Sequence, residues 1–283
     1  MPEPTPQELV DKAKAWWTTK IIDIEPGKIA MRGYPIQDLI GKISFVDMIW
    51  MMMRGDLPTP AQSHLLEAAL VASVDHGPHA PSISIARMAV TSGAEVNGAM
   101  ASAVNVLADI HGGVAQACMG IYNNAAAKQD AGASLEDAVD AALNEYIAEN
   151  GKIIPGFGHR FHPIDPRAEP LFKMTEDAAK AGDVSGRYYA IAREVIAALK
   201  RRTGKSLPIN IDGVQAAIFC ELGFAPQLGR GLFILSRSVG ILAHAWEQME
   251  QGARIKGPMP KEIPYTYAGA KGRKLDPNRT PRG

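Results

Sequence analysis

Cysteine is almost missing from this chain: among 283 residues only Cys118 and Cys220 occur, far apart in the sequence. No Cys-x-x-Cys pair can be formed, which excludes a zinc ribbon or a redox dithiol, and a reducing cytosol is the expected compartment. An excess of one charge is also missing. Its 30 Lys and Arg balance 30 Asp and Glu, so nothing electrostatic favours nucleic acid or an anionic membrane as partner. Long apolar runs are absent too. The best candidate, Gly231 to Trp246, is interrupted by Arg237 and His244 and is too short and too polar to span a bilayer. The first residues, Met1-Pro2-Glu3-Pro4, lack the basic-then-apolar order of a secretory signal. The expectation is a soluble, cytoplasmic protein without internal repeats.

What is present is ordinary globular material, 46% hydrophobic, enough for one large domain or two modest ones with no disulfide or metal staple. The pattern is mainly helical. Little is patterned before Trp16-Trp17. Ile21–Ile24 and Ile29–Met31 flank Glu25-Pro26-Gly27-Lys28, which predicts one small β-hairpin. Phe45–Arg54 before Gly55 reads as a buried helix with a glycine stop. Leu65, Leu66, Ala69 and Leu70 give helical spacing within 60–74, and the small residues of 83–108 predict closely packed helices at the centre of the fold. Ser134 predicts an N-cap for a helix ending at Gly151. Asp165-Pro166 predicts another helix start, with Pro170 kinking or breaking it. Helical spacing returns over 184–202 and 227–251, and the tail after Gly269 is Lys, Arg, Gly and Pro, the composition of a mobile or partner-ordered end. The fold class is all-α with one small hairpin.

Chemistry concentrates at glycine-marked turns: Asp75-His76-Gly77-Pro78, Asp109-Ile110-His111-Gly112-Gly113 and Pro155-Gly156-Phe157-Gly158-His159-Arg160. A fourth segment, Pro208-Ile209-Asn210-Ile211-Asp212-Gly213, sets one acid among apolar neighbours. Glycine lets backbone approach a ligand, imidazole titrates near neutrality, and an apolar setting raises a carboxyl toward a usable acid–base range. Each has a plain alternative: a loop histidine is usually a surface or capping group, Asp212 would cap a helix beginning near Gly213, and Phe157 would simply pack.

Taken together and in order, these segments resemble the citrate synthase superfamily. Asp75–Pro78, Ile85-Ala86-Arg87, Thr91-Ser92-Gly93-Ala94 and His111–Gln116 look like its first substrate histidine and its histidine–diglycine turn. Gly156–Arg160 with Asp165-Pro166-Arg167-Ala168 is similar to its GFGHR…DPRA signature, and Asn210-Ile211-Asp212 to the segment supplying its aspartate. Ser236–Gly240, Ala243-His244 and Glu247-Gln248 resemble a later stretch, as do Arg32–Ile36 and Gly55–Thr59 an early one. Within the superfamily, the short chain, Gly213-Val214-Gln215 after Asp212, and Arg254-Ile255-Lys256-Gly257-Pro258 in place of an Arg-Pro pair resemble citryl-CoA lyases and the lyase domain of ATP-citrate lyase. His111 resembles the synthase branch instead.

The resemblance implies a homodimer or larger homo-oligomer. Its large helical domain would be 1–113 with 218–283, interrupted by a smaller helical domain, 114–217. It implies cleavage of citryl-CoA to acetyl-CoA and oxaloacetate, or alternatively condensation by a short citrate or 2-methylcitrate synthase. A non-catalytic CoA-binding helical dimer is the remaining alternative. By the same resemblance His111 stabilises a thioester enolate, His159 serves the hydroxyl or carbonyl oxygen, and Asp212 transfers the proton at carbon. His76, Arg167 and Arg237 would bind carboxylates, with a further cation near Arg254 or Lys256. Ile154, Pro155, Gly156, Phe157 and Gly158 would receive the adenine of CoA, and Lys205 its phosphate, although Lys205 also reads as part of a solvated basic run. CoA enters as a thioester substrate, and no metal or redox cofactor is implied.

Overall fold

The computed structural model describes residues 4–158, 163–277 and 279. It opens with α1 (Pro6–Trp16), where Thr5 and Glu8 form a reciprocal capping box and no residue is buried. This helix lies where sequence patterning predicts little, because its stripe of Leu9, Val10 and Trp16 faces solvent.

Strands β1 (Ile22–Glu25) and β2 (Lys28–Met31) form the expected hairpin, with Ile22 opposite Met31 and Glu25 opposite Lys28. A third strand, β3 (Tyr34–Pro35), adds to β2 through a turn that holds Arg32 and Gly33 at positive φ. Two residues are too few to show a period-two pattern, so this strand has no sequence signature.

The helices follow: α2 (Ile36–Leu39), α3 (Phe45–Arg54), α4 (Pro60–Val71), α5 (Pro81–Thr91), α6 (Val96–Val104), α7 (Val114–Asp130), α8 (Leu135–Asn150), α9 (Ala168–Ala181), α10 (Arg187–Thr203), α11 (Ile211–Glu221) and α12 (Pro226–Gln251). Their ends obey local chemistry. Ser44 with Asp47, and Thr59 with Gln62, close capping boxes, and Gly55 stops α3 in the left-handed region at φ 97°. Ser134 caps α8, whose end is Gly151.

Pro170 does not break α9. The helix starts at Ala168, so Pro170 occupies its first turn, where N–H groups have no intrahelical acceptor to lose. Asp165 is not its cap either, because Arg167 holds that position and the Asp165 carboxylate is used elsewhere.

The larger core gathers Trp50, Leu65, Leu66, Met119, Tyr122, Leu143, Ile191, Val195, Ile218 and Phe219 from α3, α4, α7, α8, α10 and α11. Each fully buried side chain of this size contributes roughly 1.5–3 kcal/mol. The small residues of 83–108 form a second, smaller core of Ile83, Ala86, Ala99, Ala103 and Leu107 against Phe233, Ile241 and Ala245 of α12. They permit the close helix approach expected of them but bring little volume, so the centre lies instead around α7 and α11. No helix among the described residues is long and apolar enough to cross a membrane.

Candidate active site

The site is assembled on the C-terminal end of α4. Carbonyls at a helix end lack intrahelical partners and carry the negative pole of the helix dipole. Here side chains from three other segments take them. Gln215 of α11 donates from Nε2 to the Ala69 carbonyl at 2.7 Å, and Ser236 of α12 donates to that of Leu70. Arg167 Nη1 reaches the Ala72 carbonyl at 3.5 Å, and Arg237 Nε reaches that of Ser73 at 3.0 Å. Two guanidinium groups from distant parts of the chain are thereby fixed at one negative pole.

Arg237 is buried, with its guanidinium 4.9 Å from the centre of the Phe233 ring. Burial lowers its pKa; Asp75 and Asp212 pull it back up, and Arg167 pushes it further down. Arg167 forms a fork with Asp165 from Nε and Nη2, both at 2.9 Å. Asp165 also accepts the Ile211 N–H at 3.0 Å, so one buried carboxylate joins this arginine to the start of α11. Burial alone would raise the Asp165 carboxyl, but Arg167 and the two backbone N–H groups outweigh it and hold the group at about 2.

Asp212 lies in the first turn of α11. It does not cap that helix: Asn210 is the N-cap, accepting the N–H groups of Asp212 and Gly213 at 3.0 and 3.3 Å. The Asp212 carboxyl is thus released from the backbone. Burial raises it to about 6, against the pull of Arg167 and Arg237 and with help from Asp165. Such a group exchanges protons near neutral pH.

His111 is half-buried, and its Nε2 accepts the Ser82 N–H at 3.3 Å, with the Ser82 hydroxyl at 3.0 Å. That N–H belongs to the first turn of α5, one of the donors a helix start leaves unpaired. A backbone N–H can only donate, so the neutral ring carries its proton on Nδ1. Burial lowers the pKa of the ring, and the Arg237 charge lowers it further. Arg237 therefore acts electrostatically on both His111 and Asp212.

The expected CoA segment lies beside α11. Gly158 donates to the Pro208 carbonyl at 2.8 Å, Asn210 donates to the Gly156 carbonyl at 3.0 Å, and Phe157 bridges Ile209. A Cβ on Gly156, at φ 85°, would lie 2.7 Å from Cα of Gly213, so two glycines allow the main chains to touch. Ile154 is buried and Phe157 half-buried, while Lys205 is exposed on the loop that leads from α10 into Pro208. His159 lies outside the described residues.

A model of the citrate synthase C-terminal domain matches residues 59–258. The chain belongs to the citrate synthase family. A solved citryl-CoA lyase from Hydrogenobacter thermophilus superposes with a TM-score of 0.80 at 32% identity, covering 92% of this chain and 97% of that one. An ATP citrate lyase from Methanothrix soehngenii shares the fold, with a TM-score of 0.73 at 20% identity over 95% of this chain and 46% of that one. Among sequences, a citrate synthase from Acidithiobacillus ferridurans is 29% identical over 80% of this chain, which spans only 55% of that relative.

Within this family member, sequence reasoning missed the residues that do the holding. Ser82 sets the His111 tautomer, and Ser73, by its carbonyl, anchors Arg237. Neither carries a strong residue-type signal, because the N–H of Ser82 and the C=O of Ser73 are backbone groups that any residue could supply. Near the expected C-terminal cation, Lys256 donates to Gln248 Oε1 at 3.2 Å, and Arg254 is exposed.

Proposed function

We propose that this chain is a citryl-CoA lyase, cleaving citryl-CoA to acetyl-CoA and oxaloacetate by a retro-Claisen reaction. The observation that carries the reading is the likeness to a citryl-CoA lyase over nearly the whole of both chains. The curated citrate synthases are matched over about half their length.

In this reading the carboxylates of the citryl group pair with Arg167 and Arg237, and His76 adds a further hydrogen bond. His159 takes the hydroxyl proton as the carbon–carbon bond breaks. The bonding electrons pass into the thioester, giving an enolate whose oxygen accepts the Nδ1–H of His111. Asp212, protonated below about pH 6, delivers its proton to the enolate carbon and leaves acetyl-CoA. The CoA adenine sits against residues 154–158, with Lys205 near a phosphate. Residues 114–217 act as the smaller domain that closes over the substrate and excludes water.

The quaternary state belongs to the same proposal. Leu235, Val239, Leu242 and Trp246 form an exposed apolar stripe along α12 at helical spacing, and a second copy of the chain would cover it.

The test supplies citryl-CoA and follows oxaloacetate with malate dehydrogenase and NADH. Oxaloacetate formation supports the lyase. Sustained release of free thiol from acetyl-CoA plus oxaloacetate would establish the synthase instead, the reading favoured by the names of the sequence relatives. CoA binding by calorimetry without either reaction would leave a binding module.

A further inference from the structure

His244 of α12 lies between a buried cation and the turn that bears His76. Arg87 of α5 donates from Nη1 to His244 Nδ1 at 2.9 Å, and guanidinium can only donate, so Nδ1 is the unprotonated nitrogen. The proton is on Nε2, which faces Asp75 Oδ2 at 3.3 Å. That same carboxylate oxygen accepts the Gly77 N–H at 3.0 Å, and the His76 N–H adds a backbone bond to the carboxylate. Arg87 is itself immobilised, with Gln248 at 3.1 Å, Gln251 at 2.6 Å and Glu247 as its acceptors. A Cβ on Gly240 would collide with the Val74 carbonyl, so α12 presses on this turn one helical turn before His244.

From this geometry we infer that His244 is a positioning residue: with Arg87 it holds Asp75, and Asp75 folds its own backbone into the turn that aims His76 at the substrate carboxylate. The inference rests on the proposed lyase reading for its substrate, while the hydrogen-bond chain does not depend on that reading. His244 need not touch substrate, so its removal acts through His76.

The experiment compares wild type with His244→Ala, His244→Gln, His76→Ala and the double variant His244→Ala/His76→Ala. His244→Ala is expected to raise KM for citryl-CoA about tenfold with kcat changed less than about threefold. His244→Gln, whose amide offers both an acceptor and a donor, is expected to recover most of the loss. In the His76→Ala background the His244→Ala change is expected to have no further effect. An equal loss in that background, or no recovery by glutamine, overturns the inference. Hydrogen exchange of the 74–78 amides supplies the readout independent of turnover. Faster exchange at His76 and Gly77 in His244→Ala, with the melting temperature kept, supports the chain of bonds; unchanged exchange overturns it. If wild type cleaves no citryl-CoA, the lyase reading fails and the exchange result still decides this one.

Discussion

The Ser82 N–H donates to Nε2 of His111, which leaves Nδ1–H as the neutral ring's one donor. A neutral imidazole held this way can stabilise an oxyanion without needing to be protonated. His111→Ala is expected to lower kcat by about a hundred- to a thousandfold with little change in CoA affinity. Steady-state kinetics and calorimetry measure both. Ser82→Ala keeps the backbone donor and is expected to cost far less.

Asp212 titrates at about 6 in the folded chain against a usual 3.8. Between those values the folded state binds more protons than the unfolded one, so stability falls as pH rises through this window and the deficit is complete above 6. Asp212→Asn is therefore expected to abolish turnover yet raise stability at pH 7.5 by on the order of 2 kcal/mol, with no gain near pH 4. Activity carries the opposite signs for the two reactions. Cleavage needs the protonated acid, so its kcat/KM falls above about pH 6, whereas synthesis needs the carboxylate and falls below it.

Asp165 behaves in reverse. Its carboxyl lies at about 2, so its contribution is present above the usual 3.8 and is lost as pH falls from there toward 2. Asp165→Ala strands the Ile211 N–H and the Arg167 fork, and is expected to cost about 3 kcal/mol in urea unfolding at pH 7.

The two glycines of the expected CoA segment separate conformation from space. Both have positive φ, but Gly156 faces Gly213 while Gly158 faces nothing within 4 Å. Gly158→Ala is expected to cost about 1–2 kcal/mol from backbone strain alone. Gly156→Ala is expected to cost more, with weakened CoA binding, by thermal melt and calorimetry.

On the proposal that a second copy covers the apolar stripe of α12, Val239→Glu is expected to shift sedimentation from dimer to monomer without unfolding the chain, because Val239 is 57% exposed in the single chain.

Sequence carried the helices whose ends are written in side chains. Ser134, Gly55 and the apolar spacing around Leu65 are each local and strong. It did not carry α1, whose apolar stripe is spent on no core, nor the harmless placement of Pro170, which depends on where α9 begins. Asn210 and Asp212 are both good caps; only the fold decides that Asn210 does that work and frees the acid. The family itself was legible in the order of the motifs, and the candidate chemical residues were named from that pattern. Arg87, His244 and Asp75 lie in segments of the same pattern, but their meeting was not legible, since it spans long stretches of chain.

Where Gly156 meets Gly213, both surfaces are main chain, so no rotamer change can absorb an added atom. The segment that bears Asp212 therefore cannot yield toward residues 154–158, and on the proposed reading a bulkier acyl group or oxo acid would have to be accommodated away from this crossing. Redesign of substrate preference would begin with the side chains facing Arg237 and leave this crossing alone.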